Sequence, residues 1–383
     1  MSERRIGIVM NGVTGRMGRN QHLMNSIAAI RKDGGLPLAD GTRLVPDPIL
    51  VGRDKERIAA VAKAAGVEKW TTDFDAALGD KDYEIYFDGV TTTARAANLM
   101  RAIAAGKHIY TEKPISVGYA EAEKIYREAK TKNIKHGVVA DKLWAPGLYK
   151  LRQLVKSGFF GKVLMVRIEG CYWVFEGDLQ PPQRPSWNYK KAEGGGMILD
   201  MMPHYFYMLE AMGGRPLDVV CSADTLVKKR WDEKGKPYNA DADDSLMSIS
   251  RLAGGAMAQI MSSWCVRVRT EDIIVMQVDG SDGSAVAGLN HCYTQRRENT
   301  PKGQWSLDVA EPLDFYRDWQ KVPEVEPYKN AFRIQWELFL KHVVEGGDFP
   351  WNLRAGAQGV QFAEAAEASW KDRRWIDLPD LKS

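Results

Sequence analysis

Short apolar runs alternate with amphipathic helical stretches through the first 140 residues, the signature of βαβ units around a parallel sheet. Ile6-Gly-Ile-Val-Met10 reads as the first strand. Leu23, Ile27 and Ile30 then share one face of a helix that begins near Gly15 and stops at Gly34-Gly35. A polar stretch with Pro37, Pro46 and Pro48 reads as an inserted connection, followed by a strand at Ile49-Leu50-Val51 and an Ala-rich helix over 55–65. A strand over 84–90, a helix over 94–105 and a strand over 108–110 follow, then a helix whose Ala122, Ile125, Tyr126 and Ala129 fall on one side.

After about Val139 the period drops to two and the turns become Gly-rich or charged, which predicts a mostly antiparallel sheet with one face on a core and one face free. Leu164, Val166 and Ile168 are expected to face inward, and Met165, Arg167 and Glu169 outward. The same alternation recurs from Met257 to Trp264 and from Ile273 to Val278. Two closing helices, over 332–344 and 357–369, are expected against one side of this second sheet. The pattern therefore predicts an α/β domain of βαβ units over 1–140 and an α+β domain over 141–383, whose free sheet face suits partners or substrates and whose last helix can pack back on the first domain.

Charge removes one class of partner. With 53 Lys+Arg against 50 Asp+Glu the net charge is +3, and the basic run Lys228-Lys229-Arg230 is short, so nucleic acid is not expected to bind. Cys171, Cys221, Cys265 and Cys292 form no CxxC pair, which leaves no zinc ribbon or thioredoxin-type site. No metal is expected. No apolar run reaches the ~18 residues of a membrane span, and the N-terminus enters its strand without a cleavable hydrophobic region, so the expected location is the cytoplasm.

Candidate chemistry begins at the first turn, Asn11-Gly12-Val-Thr14-Gly15-Arg16-Met17-Gly18, with GxxGxxG spacing between strand and helix. Glycines let the backbone turn sharply and approach a pyrophosphate at the helix N-terminus; the same glycines can also serve turn geometry alone. The second strand runs into Gly52-Arg53-Asp54. Arg53 suits the 2′-phosphate of NADP and Asp54 the ribose hydroxyls of NAD, which leans slightly to NADP, unless Arg53 is a solvated helix-start residue. Glu112-Lys113-Pro114 ends a strand at the carboxyl edge where open α/β sheets bind ligands, although a Lys before a helix can also be plain surface.

Asp200 and His204, four apart after Gly194-Gly-Gly196, would share a helix face. They suit proton transfer, a metal pair or an exposed polar face. Pro203 inside this stretch requires a helix that starts later than the glycines imply or is kinked. Tyr172-Trp-Val-Phe175 and Gln183-Arg184-Pro-Ser-Trp187-Asn-Tyr189 are dense in aromatic and polar groups, which suits either a sugar ring or core packing.

Together these segments resemble the Gfo/Idh/MocA family of oxidoreductases over almost the whole chain. The likeness rests on the glycine turn, on Ala105-Gly-Lys-His followed by Glu112-Lys113-Pro114, and on the glycines with Asp200 and His204. It implies a Rossmann domain and an α+β domain whose open sheet often mediates oligomers, so a homodimer or homotetramer through that sheet is expected. It implies NAD or NADP as cofactor and a sugar, glycoside or inositol as substrate, with Lys113, Asp200 and His204 as catalytic residues. The cofactor set is then Asn11, Gly12, Thr14, Gly15, Arg16, Met17, Arg53, Thr91, Glu112 and Lys113. The substrate set is Lys142, Tyr172, Arg184, Trp187 and His204, with Lys142 standing where many members carry an Arg.

The chain departs from the family at Val90-Thr91-Thr92-Thr93-Ala94-Arg95, which lacks the usual ThrPro and downstream His, and in its GxxGxxG turn. The Gly15 to Arg19 run also resembles dihydrodipicolinate reductase, whose His-rich and SerGlyThr segments are absent here. The expected activity is oxidation of a secondary hydroxyl by hydride transfer to nicotinamide; the alternatives are redox-neutral glycoside cleavage with a retained cofactor and a non-catalytic nucleotide sensor.

Overall fold

A computed structural model describes residues 2–171, 184–303, 308, 310, 313–324 and 328–381, and the chain divides into two compact units. The first gathers Met1–Trp144, Lys329–Glu364 and Asp380–Ser383; the second gathers Ala145–Tyr328 and Ala365–Pro379.

Among the described residues, six parallel strands, β1 (Glu3–Asn11), β2 (Arg43–Val51), β3 (Trp70–Thr71), β4 (Tyr83–Asp88), β5 (His108–Thr111) and β6 (His136–Val138), and a short antiparallel edge strand, Leu36–Pro37, which pairs with the start of β2, form the sheet of the first unit. The spatial order of the parallel strands is β3-β2-β1-β4-β5-β6. The order reverses at β1, the switch point at which Rossmann folds bind dinucleotides. The main helices are α1 (a π-helical run Gly18–Ala28 continued by Ala29–Lys32), α2 (Lys55–Ala65), α3 (Thr92–Ala104) and α4 (Tyr119–Thr131).

Both faces of a parallel sheet are covered, so alternate residues enter different cores. Ile6, Ile8, Met10, Ile85 and Phe87 pack on one face with Leu23, Ile27 and Ile30; Val9, Tyr86 and Ile109 pack on the other with Leu99, Ile103 and Ile125.

Pro46 and Pro48, read from sequence as loop, lie inside β2, opposite Ile6 and Ile8 of β1. Residues of a parallel strand address their two neighbours alternately. Leu50, two positions beyond Pro48, gives its N–H to Lys69 on the outer side. The missing proline N–H groups therefore face the outer edge, where no ladder bond is lost. Arg31 donates to the Pro46 carbonyl at 2.7 Å. β3, two residues long, left no pattern to read.

The second unit is built on β7 (Val163–Cys171), β8 (Asp218–Asp224), β9 (Ser245–Arg251), β10 (Met257–Ser263), β11 (Ile274–Gly280), β12 (Gly283–Ala287) and β13 (Cys292–Arg296), with helices α5 (Pro146–Lys156) and α6 (Met197–Met212). The strands lie in the order β13-β12-β11-β7-β10-β9-β8 and run antiparallel except for the parallel pair β7 and β10. Val166, Ile168, Leu246, Ala258, Ile260, Met276 and Val278 are buried. Leu164, expected inward, is exposed: it lies at the start of β7, ahead of the regular alternation, beside exposed Met165. The hydroxyls of Tyr205 on α6 and Ser262 on β10 lie 2.6 Å apart, and Ser262 donates to the Gly170 carbonyl of β7 at 2.9 Å. A Cβ on Gly170 would stand 2.0 Å from the Tyr205 hydroxyl, so glycine there lets the helix sit down on the sheet.

The chain ends with α7 (Ala331–Glu345) and α8 (Leu353–Asp372). Both were expected against the second sheet, as part of the 141–383 domain, with the last helix able to pack back on the first. Instead α7 belongs to the first unit, where Phe332, Trp336, Phe339 and Leu340 join the core of Ile6, Ile8 and Phe87. Periodicity marks a buried stripe without saying which sheet receives it. α8 is divided: Leu353, Ala357 and Val360 fill the first unit's other core, while Ser369 accepts the Cys221 N–H in the second unit. No described helix is long and apolar enough to cross a membrane.

Candidate active site

β1 delivers Asn11 to the glycine turn. Gly12 has φ +85°, and a Cβ there would stand 2.2 Å from the Gly89 carbonyl carbon in the loop after β4. A Cβ on Gly18 would stand 2.4 Å from the Gly12 oxygen. Both glycines are demanded by protein atoms. Gly15 is not: the nearest atom to its Cβ would be the Gly12 oxygen at 3.4 Å, and Gly15 itself is exposed. Its bare backbone leaves a cradle that fits a pyrophosphate. The helix beyond has no side-chain cap and no acid in its first turn, so its N-terminal N–H groups favour an anion.

The neighbouring polar groups are locked together. Asn11 Nδ2 donates to the Tyr86 hydroxyl at 3.2 Å, and Tyr86 donates to Asp88 at 2.6 Å. Arg95, on α3, donates Nε to Asp88 at 3.1 Å and its Nη atoms to the carbonyls of Val90, at 2.6 Å, and Pro114. Burial pushes the Asp88 carboxyl up, against the pull of Arg95 and the Tyr86 hydroxyl. Sequence reading met Arg95 only as a departure from ThrPro and His. Its spacing with Leu99, Ala102 and Ile103 marks the buried stripe of α3 and could have found it.

At the end of β5, Glu112 is buried and bonded to His22 at 2.8 Å, and Lys113 is half-buried. Arg53 and Arg16 are exposed, Met17 packs against the core and Thr91 starts α3 with its side chain exposed. Asp54 caps α2 by accepting the Arg57 N–H at 3.0 Å, and Arg57 reaches back to the Thr14 carbonyl at 2.8 Å. Lys142, in the turn Asp141–Trp144, lies 2.5 Å from the Asp141 carboxylate.

The second unit carries the other candidates on and around α6, which begins directly after the glycines and runs through Pro203. Of the two outcomes Pro203 allowed, a later start is thus excluded. Gly196 has φ +124°, and a Cβ there would meet Asp243 Oδ1 at 2.6 Å. Asp243 caps the helix from outside: its carbonyl accepts the Met197 N–H at 2.8 Å and its carboxylate the Ile198 N–H at 2.7 Å. Asp200 accepts from Arg184 at 2.8 Å, and the Arg184 guanidinium lies 4.4 Å over the buried Trp264 ring. His204 is buried, with Nδ1 2.6 Å from the Tyr207 hydroxyl. Sequence reading missed Tyr207, although it stands at i+3 from His204 on the same helix. Trp187 lies partly exposed in the turn Ser186–Tyr189, which Glu233 pins through Ser186 at 2.7 and 3.1 Å. Tyr172 and its aromatic neighbours, with Gln183, lie outside the described residues. Among the described residues no group of His, Cys, Asp and Glu is placed to hold a metal.

A Rossmann sheet with a glycine cradle at its switch point fits a dinucleotide-dependent oxidoreductase. Residues 6–139 match the oxidoreductase family with an NAD-binding Rossmann fold, and residues 148–286 match the GFO/IDH/MocA C-terminal domain. D-xylose dehydrogenase from Paenarthrobacter nicotinovorans is 47% identical over 98% of both chains. Levoglucosan dehydrogenase from Pseudarthrobacter phenanthrenivorans is 24% identical over 88% of this chain and 90% of its own. A solved levoglucosan dehydrogenase in complex with NADH and L-sorbose has the same fold, with a TM-score of 0.82 at 21% identity over 98% of this chain and 99% of that one. The chain belongs to the Gfo/Idh/MocA family.

Gly15→Ala is expected to leave the melting temperature nearly unchanged while weakening dinucleotide binding about tenfold or more, read by fluorescence titration. Gly12→Ala should lower the melting temperature. Equal binding by wild type and Gly15→Ala would overturn the cradle.

Burial pushes the Asp243 carboxyl from 3.8 up to about 6, against the Ile198 N–H it accepts. Between those values the folded state holds a proton that the unfolded chain releases, so this group's contribution to stability falls as pH rises. Asp243→Asn keeps an acceptor and removes the charge. Its melting temperature should fall less than that of wild type between pH 4 and 6, and an equal slope would contradict the assignment.

Proposed function

We propose that the protein is a dehydrogenase that oxidises a secondary hydroxyl of a D-xylose-like sugar. The observation that carries the substrate class is the 47% identity to D-xylose dehydrogenase over 98% of both chains. A bound nicotinamide dinucleotide supplies the hydride acceptor. The cradle at Gly15 and the α1 N-terminus would hold its pyrophosphate, with Asn11, Gly12, Thr14, Arg16, Met17 and Thr91 around it. Arg53, exposed beyond β2, supports NADP, since one Asp54 oxygen is engaged in capping α2.

His204 takes the hydroxyl proton. This role requires the tautomer in which Nδ1–H donates to the Tyr207 oxygen and Nε2 carries the lone pair that acts as base. The Lys113 ammonium stabilises the oxyanion that develops as the carbonyl forms. Asp200, held by Arg184, orients the reacting hydroxyl, and Lys142, Tyr172, Arg184 and Trp187 contribute to sugar binding.

A second copy of the chain is the proposed partner for the free face of the second sheet, where Met165, Met247 (63% exposed), Ile249 and Met257 (51% exposed) stand outward. All four cysteines are free, which supports a reducing compartment such as the cytoplasm.

Mixing the protein with D-xylose and either NAD⁺ or NADP⁺ should produce reduced-nicotinamide absorbance, and Arg53→Ala should lower the preference for NADP. Sugar consumption without absorbance would instead indicate redox-neutral chemistry. Lys113→Ala and His204→Ala should lower kcat by at least about a hundredfold while cofactor still binds; full activity in either refutes its role. Met247→Asp with Ile249→Asp should yield monomers by light scattering, and an unchanged molar mass would place the subunit contact elsewhere.

A further inference from the structure

His22 is a fully buried imidazole to which neither the glycine motif nor the reaction scheme assigns a task. It lies on the π-helical run of α1, walled by Phe87, with ring centroids 4.3 Å apart, and by Phe332 at 5.1 Å. Its Nδ1 receives the indole N–H of Trp336 at 3.0 Å. An indole nitrogen only donates, so Nδ1 must present its lone pair. The ring proton then sits on Nε2 and is donated to Glu112 Oε1 at 2.8 Å. A second proton on Nδ1 would confront the indole N–H, so Trp336 selects one neutral tautomer.

The other oxygen of Glu112 accepts the backbone N–H of Lys113 at 3.2 Å. The chain of donors runs from α7, through α1, to the segment carrying Lys113. The charged and titratable groups facing Glu112 are His22 from α1, Arg95 from α3 and Lys113 with Tyr110 from its own strand segment; Asp141 lies beside Tyr110. Burial would push the Glu112 carboxyl up; the hydrogen bond donated by His22 and the positive charges of Lys113 and Arg95 act in the opposite direction.

We propose that His22 and Trp336 are positioning residues that hold the Glu112 carboxylate in place and, through its second oxygen, the backbone of Lys113. The proposal rests on the role given to Lys113 above. In this relay Glu112 is an internal anchor: one oxygen is engaged by His22 and the other by the Lys113 backbone. Neither His22 nor Trp336 touches a reacting atom.

The test combines a spectroscopic signature with a pH profile. In ¹⁵N-histidine-labelled protein, which has six histidines, one imidazole lost in His22→Gln should show a protonated Nε2 and an unprotonated Nδ1. Trp336→Phe should erase that single-tautomer pattern. In His22→Leu, Glu112 loses its donor, so the acidic limb of kcat/KM should move up by about one pH unit or more, with the cofactor dissociation constant changed less than twofold. His22→Gln can both donate and accept, and should restore most of the wild-type profile.

A His22 signal with the proton on Nδ1, or an acidic limb unmoved in His22→Leu, would overturn the relay. If His22→Leu does not fold, the tautomer signal in wild type and its loss in Trp336→Phe decide the question. Full activity of Lys113→Ala would sink the reading on which the relay rests. An inactive Lys113→Ala with an unmoved His22→Leu profile would sink the relay alone.

Discussion

Arg95 bound to Asp88 is the interaction on which the nucleotide half of this enzyme depends. Both side chains are buried, and a pair of buried charges is tolerated only when hydrogen bonds satisfy the remaining donors and acceptors. Here they do. Asp88 also accepts from Tyr86 and from the Val90 N–H, and Arg95 spends its other donors on the carbonyls of Val90 and Pro114. One guanidinium thus sets the end of β4, the loop that meets the glycine turn and the peptide that follows Lys113. Through Tyr86 and Asn11 the same network reaches β1. The glycine turn and the segment carrying Lys113 are therefore tied together by one continuous set of bonds.

The second unit solves a similar problem with different materials. α6 is apolar nearly all round, and its methionines, Met197, Met201, Met202, Met208 and Met212, are buried. Unbranched thioethers fill irregular gaps, so the precision of Asp200 and His204 has to come from polar pins. Asp243 holds the first turn of the helix, Tyr205 fixes its middle to Ser262 and Gly170, Arg184 holds Asp200, and Tyr207 meets His204.

Much of this was legible in the residues. The parallel and antiparallel halves announced themselves by period, and the glycine turn, Lys113, Asp200 and His204 stood out as short local patterns. What escaped depends on contacts that the folded chain makes and the local pattern does not display. Arg95 and His22 look like an ordinary helix surface charge and a stray histidine until Asp88 and Trp336 arrive. The prolines of β2 look like loop because sequence does not show which edge of a strand is left unpaired. Leu164 follows the inward pattern of β7, yet the strand's first turn of alternation lies outside the packed region. The fate of α7 was hidden because an aromatic stripe fits any apolar sheet face.

That last placement governs the order in which the protein can come into being. The core of the first unit includes Phe332, Trp336, Phe339 and Leu340 on one side and Leu353, Ala357 and Val360 on the other. Domains generally fold as the chain emerges, N-terminal parts first. Here the strands of the nucleotide unit are synthesised early but lack part of their interior until residues 332–360 have been made. The half of the enzyme that is translated first is therefore finished only after most of the second unit has been made.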